Sequence, residues 1–243
     1  MQIKCKNLKL NVDKPDRISY NLVVENLSFS VAHGDFLCIV GSNGSGKSTL
    51  VKALLGLKKV SGGTIECTLG KNGRIGYLPQ QHDSKRDFPA SVFEIVLSGC
   101  LNDRGFRPFY YLKSDKKRAE SIMKSLGIYG MKNRSFRELS GGQQQRVLLC
   151  RAVCAADELI ILDEPVAGLD PVATAEMYDT VKRINKQGMT VIMVSHDLSA
   201  AVTLASHILH LSDDKYFFGT TDEYLKSGLL DKLSGEKTGG KRL

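Results

Sequence analysis

No apolar run in this 243-residue chain approaches the roughly 20 residues that a helix needs to cross a bilayer. No cysteine pair has the C-x-x-C spacing of redox or zinc motifs. Cys150 and Cys154 stand four apart on an expected helix, yet no His or Cys cluster completes a metal site with them. The six cysteines, Cys5, Cys38, Cys67, Cys100, Cys150 and Cys154, are scattered through apolar segments and read as buried core thiols. Internal repeats and long low-complexity stretches are lacking as well, which leaves an ordinary globular chain. At the N-terminus Ile3, Cys5, Leu8 and Leu10 alternate with Lys and Asn, the pattern of a strand and not of a signal peptide. The chain is expected to stay in the cytosol.

Hydrophobic content of 42% and charged content of 25% suit a soluble globular domain. Net charge is +8. The basic residues are dispersed, with short clusters at Lys116-Lys117-Arg118 and Lys241-Arg242. A solvated surface or attraction to an anionic inner membrane leaflet accounts for them better than nucleic-acid binding.

Strand patterns open the chain at Ile3–Leu10 and Leu22–Val31, and Phe36–Val40 runs straight into a glycine loop followed by a helix over Ser48–Leu55. Gly62-Gly63 reads as a turn before a short strand, and Arg74–Leu78 as one more strand. Ser91 and Glu94 form a capping box, predicting a helix to Cys100. Asn102–Pro108 reads as a loop, and a second helix covers Ser114–Leu126 up to Gly127. A third, opened by Gly141-Gly142, runs to Ala155. Leu159–Leu162 and Thr190–Val194 are wholly apolar, as strands of a parallel sheet covered on both faces are. Pro171–Gln187 is the helix between them. Strand alternating with helix predicts an α/β fold.

Gly41-Ser42-Asn43-Gly44-Ser45-Gly46-Lys47-Ser48-Thr49 matches G-x-x-x-x-G-K-[ST] and sits between a strand and a helix. Its glycines let the loop curl so that backbone N–H groups point at phosphate oxygens. Lys47 can reach the β- and γ-phosphates of a nucleotide, and Ser48 can ligate Mg²⁺. Asp163-Glu164 ends the apolar run after Leu162, where uncompensated charge is costly. The bland reading is a helix-capping Asp and a surface Glu. Beside a phosphate loop, Asp163 reads as a Mg²⁺ ligand acting through water and Glu164 as the base for an attacking water.

The phosphate loop, Gln80, Leu139-Ser140-Gly141-Gly142-Gln143, Asp163-Glu164, Ala167-Gly168-Leu169-Asp170 and Ser195-His196-Asp197 occur in the order and approximate spacing of ATP-binding cassette ATPases, which the chain resembles from about Leu22 to Asp197. The resemblance implies a single cassette over residues 1–243. Residues 1–80 and 156–243 would form a RecA-like phosphate-loop core, with a mixed sheet flanked by helices and an antiparallel β subdomain. Residues 81–155 would be an inserted helical subdomain carrying the signature. By the same resemblance Gln80 touches Mg²⁺ and the attacking water, His196 contacts the γ-phosphate, and Asp170 reaches across to a second subunit. Leu139 to Gln143 cap the ATP of that second copy, since the signature lies too far from its own phosphate loop. The expected ligands are ATP and Mg²⁺, and the expected assembly is a dimer joined by ATP.

Two departures from the family pattern stand out. Tyr20 is the nearest candidate for the ring that stacks on adenine, but counted from the N-terminus Val12 holds that place and Asp13–Ser19 reads as an insertion. Val166 stands where Thr is common and is expected to pack.

The segment Asp87-Phe88-Pro89-Ala90-Ser91-Val92-Phe93-Glu94 and the run Gln143–Leu149 look like the ATPases of zinc, manganese and iron(II) importers. That implies transmembrane permease partners, an extracytoplasmic metal-binding protein, no nucleic acid, and a place on the cytoplasmic face of the membrane. Importers of iron–siderophore or haem share portions of these segments, and a soluble cassette of the iron–sulfur assembly kind also fits the size. His207 and His210, three apart in an apolar run, are expected to pack or lie at the surface and not to bind metal.

Overall fold

The computed structural model describes residues 2–13, 20–69, 73–80, 89–101, 111–212 and 215–229. These fall into two compact units, Gln2–Cys67 with Ile192–Leu243, and Thr68–Val191.

The first unit opens with β1 (Gln2–Asp13) paired antiparallel to β2 (Tyr20–Ala32). Ile3, Cys5, Leu8 and Leu10 are all buried although the alternation slips between Cys5 and Leu8. A register shift there, with Asn7 at φ 48, inserts one residue and returns the apolar side chains to the same face. The Asn7 amide, displaced from the ladder, donates to Ser28 Oγ at 2.9 Å. β3 (Phe36–Gly41) is buried from Phe36 through Val40 and leads into α1 (Lys47–Leu54). β4 (Gly62–Thr68) completes a three-stranded sheet in the order β2-β1-β4. Gly62-Gly63, expected as a turn, are instead its first two residues.

The second unit carries β5 (Ile75–Leu78), then α2 (Val92–Ser98), α3 (Lys113–Ser125) and α4 (Gly141–Ala155), with 3₁₀ turns at Tyr129–Met131 and Phe136–Glu138. The capping box at Ser91 forms: Glu94 N–H donates to Ser91 Oγ at 3.3 Å and Ser91 N–H to Glu94 Oε2 at 2.8 Å. Val92, Val96, Ala119, Met123, Val147 and Cys150 form the apolar seam of these helices. β6 (Leu159–Asp163) lies parallel to β5 and is buried throughout, each Leu or Ile gaining about 1.5–3 kcal/mol from leaving water. α5 (Pro171–Lys186) follows. Thr190 N–H, at the start of β7 (Thr190–Val194), donates to Glu158 O at 2.9 Å.

From Ile192 the chain belongs to the first unit again. There α6 (Leu198–Leu204) leads to β8 (His207–Leu211), parallel to β3, and to β9 (Tyr216–Thr220), antiparallel to β8. α7 (Thr221–Lys226) is the last named element. Tyr216 Oη joins β9 to the antiparallel sheet, donating to Asn26 O and accepting from Ser28 N–H, each at 3.2 Å. Parallel strands linked through helices, with antiparallel strands beside them, make this an α/β fold. Among the described residues no helix is long and apolar enough to cross a membrane.

Candidate nucleotide site

The phosphate loop follows directly from β3. Gly41, Gly44 and Gly46 take φ of 146°, 87° and 93°, a region that side chains disfavour. A Cβ at Gly41 would collide with the Leu211 carbonyl oxygen and approach Ser45 Oγ, so the loop closes only on glycine. Gly46 then opens α1 without a side-chain cap, leaving the first-turn amides of that helix for another acceptor. Lys47 is buried, and its ammonium donates to Gly41 O at 2.9 Å and Ser42 O at 2.6 Å. Ser45 is 1% exposed, and its Oγ has no hydrogen-bond partner among the described residues. A buried hydroxyl of this kind calls for an acceptor or donor that the described residues do not supply. Ser42, Asn43, Gly44 and Ser48 are exposed and Thr49 is half-buried. Tyr20 opens β2; its side chain, like that of Val12, lies outside what the structure describes, as do most of the residues between them.

Beneath the loop lies a pair of which the sequence reading names only His210, as a packing or surface residue. His210, on β8 opposite Val40, is buried, and its Nδ1 stands 3.0 Å from the hydroxyl of buried Tyr224. Burial, and then the charge of Lys47, hold the His210 pKa below its ordinary value. His207 instead lies part-buried against Ser206 Oγ at 3.0 Å and stacks on Phe218, so the two histidines serve packing and hydrogen bonding. His196 is exposed after β7. Next to it, buried Ser195 accepts Asp197 N–H at 3.0 Å, and Asp197 caps α6 through Ala200 N–H at 3.0 Å.

In the other unit the acidic pair ends β6. Asp163 is buried and accepts a hydrogen bond from the Tyr77 hydroxyl, whose pKa is raised by burial and then by the Asp163 charge. Tyr77 on β5 faces this position because Tyr77 pairs with Ile161 and Leu78 with Leu162. The glutamate beside it, Glu164, takes φ 50, a left-handed conformation that costs a residue with a side chain about 1–2 kcal/mol. Three contacts hold it there. Ala167 N–H donates to Glu164 O at 3.1 Å, Gln80 Nε2 to Glu164 Oε2 at 2.7 Å, and Gln145 Nε2 to Pro165 O at 2.8 Å.

Gln145 belongs to α4, the helix headed by the signature. Ser140 caps it, its Oγ accepting Gln143 N–H at 3.3 Å while Gln143 Oε1 accepts Ser140 N–H at 3.1 Å. Leu139 is buried, whereas Ser140 and Gly141 are exposed. Gly142 packs so tightly that a Cβ there would lie 2.7 Å from the Ala173 methyl of α5, and Arg146 bridges to Glu176 of α5 at 3.0 Å. Asp170 caps α5, accepting Val172 and Ala173 N–H at 3.0 and 2.9 Å. Gln80, Glu164, the signature helix and Asp170 thus form one hydrogen-bonded and packed group. Val166 is half-buried there, and the first two residues of the Asp87-Phe88-Pro89 segment lie outside the described residues.

A family model described as ABC transporter matches residues 24–167, more than half of the chain. The chain belongs to the ABC transporter family. As a member it is an ATP-binding, ATP-hydrolysing cassette. A probable metal transport system ATP-binding protein of Thermotoga maritima is 37% identical over 207 residues, covering 85% of this chain and 82% of that protein. The zinc uptake system ATP-binding protein ZurA of Listeria monocytogenes is 35% identical, with 91% and 87% covered. The manganese transport system ATP-binding protein MntB of Bacillus subtilis is 36% identical, with 88% and 86% covered. Among solved structures, an inward-facing ABC transporter of the metal-chelate type superposes with a TM-score of 0.80 at 31% identity, over 92% of this chain and 84% of that one. The ADP conformation of an ABC transporter's ATP-binding cassette gives 0.79 at 24% identity, over 99% and 100%, and shares the fold.

Proposed function

We propose that this chain is the ATPase subunit of an importer for a divalent transition metal, zinc, manganese or iron(II), acting as two copies bound to membrane permeases. The Gln80–Glu164 hydrogen bond beside buried Asp163 carries the catalytic half of this reading. The metal-transport relatives, similar over most of both chains, support the cargo.

We assign the roles as follows. Gly41 to Thr49 wrap the nucleotide phosphates, with Ser45 Oγ and the uncapped amides of α1 as donors. Lys47 exchanges its two loop carbonyls for phosphate oxygens. Ser48, Gln80 and Asp163 fit Mg²⁺, an all-oxygen donor set with one buried carboxylate. Bound there, the ion would neutralise charge on the β- and γ-phosphates. Glu164 accepts a proton from the water that attacks the γ-phosphorus, and Gln80 fixes the carboxylate that receives it. His196 contacts the γ-phosphate, and Tyr20 is the candidate ring for adenine. Leu139 to Gln143, at the head of a 15-residue helix, present the Ser140 hydroxyl and the Gly141 and Gly142 amides to the ATP of a second copy, which Asp170 also approaches. We assign residues 81–155 as the arm that carries this signature. The permeases place the subunit on the cytoplasmic face of the membrane, and a binding protein on the far side would deliver the metal. A chelated metal is the second cargo, favoured by the 31% identity to the metal-chelate type transporter.

The test is ATP hydrolysis by the intact membrane complex in the presence of free zinc, manganese or iron(II), and of siderophore-bound iron. Stimulation by one free divalent ion is expected. Stimulation by the chelate alone would replace the cargo, and an ATPase indifferent to every metal would refute the transport reading.

A further inference from the structure

Gly142, the second residue of α4, is not among the glycines at positive φ, so its backbone would accept alanine, the better helix former. Packing forbids it. A Cβ there would stand 2.7 Å from the Ala173 methyl and 3.9 Å from Ala173 Cα. That methyl is fixed directly to the α5 backbone and has no torsion by which to swing aside. Relief would need a shift of one helix against the other. Arg146, one turn further along the same face of α4, reaches Glu176 Oε2 at 3.0 Å, and Glu176 lies one turn beyond Ala173. Two successive contacts thus fix the head of α4 against the head of α5. Ala173 has a second attachment: its N–H donates to Asp170 Oδ1 at 2.9 Å, as Val172 N–H does at 3.0 Å. One residue therefore meets the signature through its methyl and Asp170 through its amide.

We infer, resting on the reading of Leu139 to Gln143 as the cap for a second copy's ATP, that Ala173 is a positioning residue that sets the signature relative to Asp170, and that Gly142 is glycine to admit its methyl. The Ser140 hydroxyl and the Gly141 and Gly142 amides leave from the head of α4, and Asp170 from the head of α5. Held together by Ala173, they meet the second copy as one block. A phosphate taken up by the signature therefore finds Asp170 already in place. Gly142→Ala would push the two heads apart and misplace the signature amides, while the chain's own phosphate loop, on a different part of the sequence, keeps its shape.

The test compares wild type, Gly142→Ala, Ala173→Gly and the double variant. Hydrolysis by the intact membrane complex gives kcat and KM, and titration of the full chain gives ATP affinity. Gly142→Ala should lose at least about 10-fold in kcat with ATP affinity unchanged, a split that a merely loosened fold would not produce. Ala173→Gly alone should stay within about twofold of wild type. The double variant, which removes the methyl that the new Cβ would strike, should recover to within about threefold of Ala173→Gly. A Gly142→Ala protein with wild-type kcat would refute the reading of the signature, and the role of Ala173 with it. A loss that the double variant does not recover would leave that reading standing and overturn the role of Ala173, because the nucleotide and not α5 would then demand the glycine. The double variant decides even where Gly142→Ala alone fails to fold: active, it supports the role; inactive or unfolded, it overturns it.

Discussion

The amide of Gln80 donates to the carboxylate of Glu164 at 2.7 Å, joining the second residue after β5 to the first after β6. Parallel pairing of the two strands sets this distance, because Leu78 lies opposite Leu162. Glu164→Gln keeps the size of the side chain and removes its basicity. Turnover should fall by at least about 100-fold while ATP still binds. Steady-state hydrolysis and nucleotide titration of the same variant check it, and normal hydrolysis would dismiss Glu164 as the base.

Lys47→Ala removes a buried ammonium that holds two carbonyls of its own loop. The loss of charge-assisted hydrogen bonds to phosphate should weaken ATP binding by about 10- to 100-fold. Calorimetric titration measures this; an unchanged Kd would take the loop out of nucleotide binding.

Gln145→Leu leaves the Pro165 carbonyl without the amide that reaches it at 2.8 Å. The fold should lose about 1–3 kcal/mol, the cost of an unpaired buried polar group. Because Pro165 follows Glu164, kcat should drop while nucleotide affinity holds. Urea midpoints and a split of kcat from KM report the two effects.

His210 gives the pH dependence a definite sign. Its folded pKa lies below the ordinary value near 6.5, so the unfolded chain takes up the proton first. Stability from this group is therefore full above about pH 6.5 and declines as pH falls toward the folded pKa. His210→Gln should flatten the Tm-versus-pH curve between about pH 7 and 5 relative to wild type. Parallel curves would show that His210 titrates alike in the folded and unfolded states.

The core strands and their order of appearance were legible because β3, β6 and β7 are apolar at nearly every position, as strands covered on both faces must be. Ser91 and Glu94 announced α2 by local chemistry alone. The same spacing at Thr220 and Glu223 marks α7, and Thr220 Oγ1 does accept Glu223 N–H at 3.3 Å, a signal present in the sequence and left unread. β9 was hidden because its residues are mostly half-exposed, and its Tyr216 hydroxyl finds partners in Asn26 and Ser28, nearly two hundred positions away. The roles of Tyr77, Gln145 and His210 depend on pairing and packing between distant segments, which no local pattern encodes. Cys67, read as a core thiol, lies exposed because β4 presents most of its side chains to solvent.

The left-handed backbone at Glu164 sets durability against chemistry at one position. Glycine would relax that peptide and remove the carboxylate we propose as the base, so Glu164→Gly should outlast Glu164→Ala on heating while neither hydrolyses ATP. Valine or isoleucine, crowded by its branched Cβ, should melt earliest of the set.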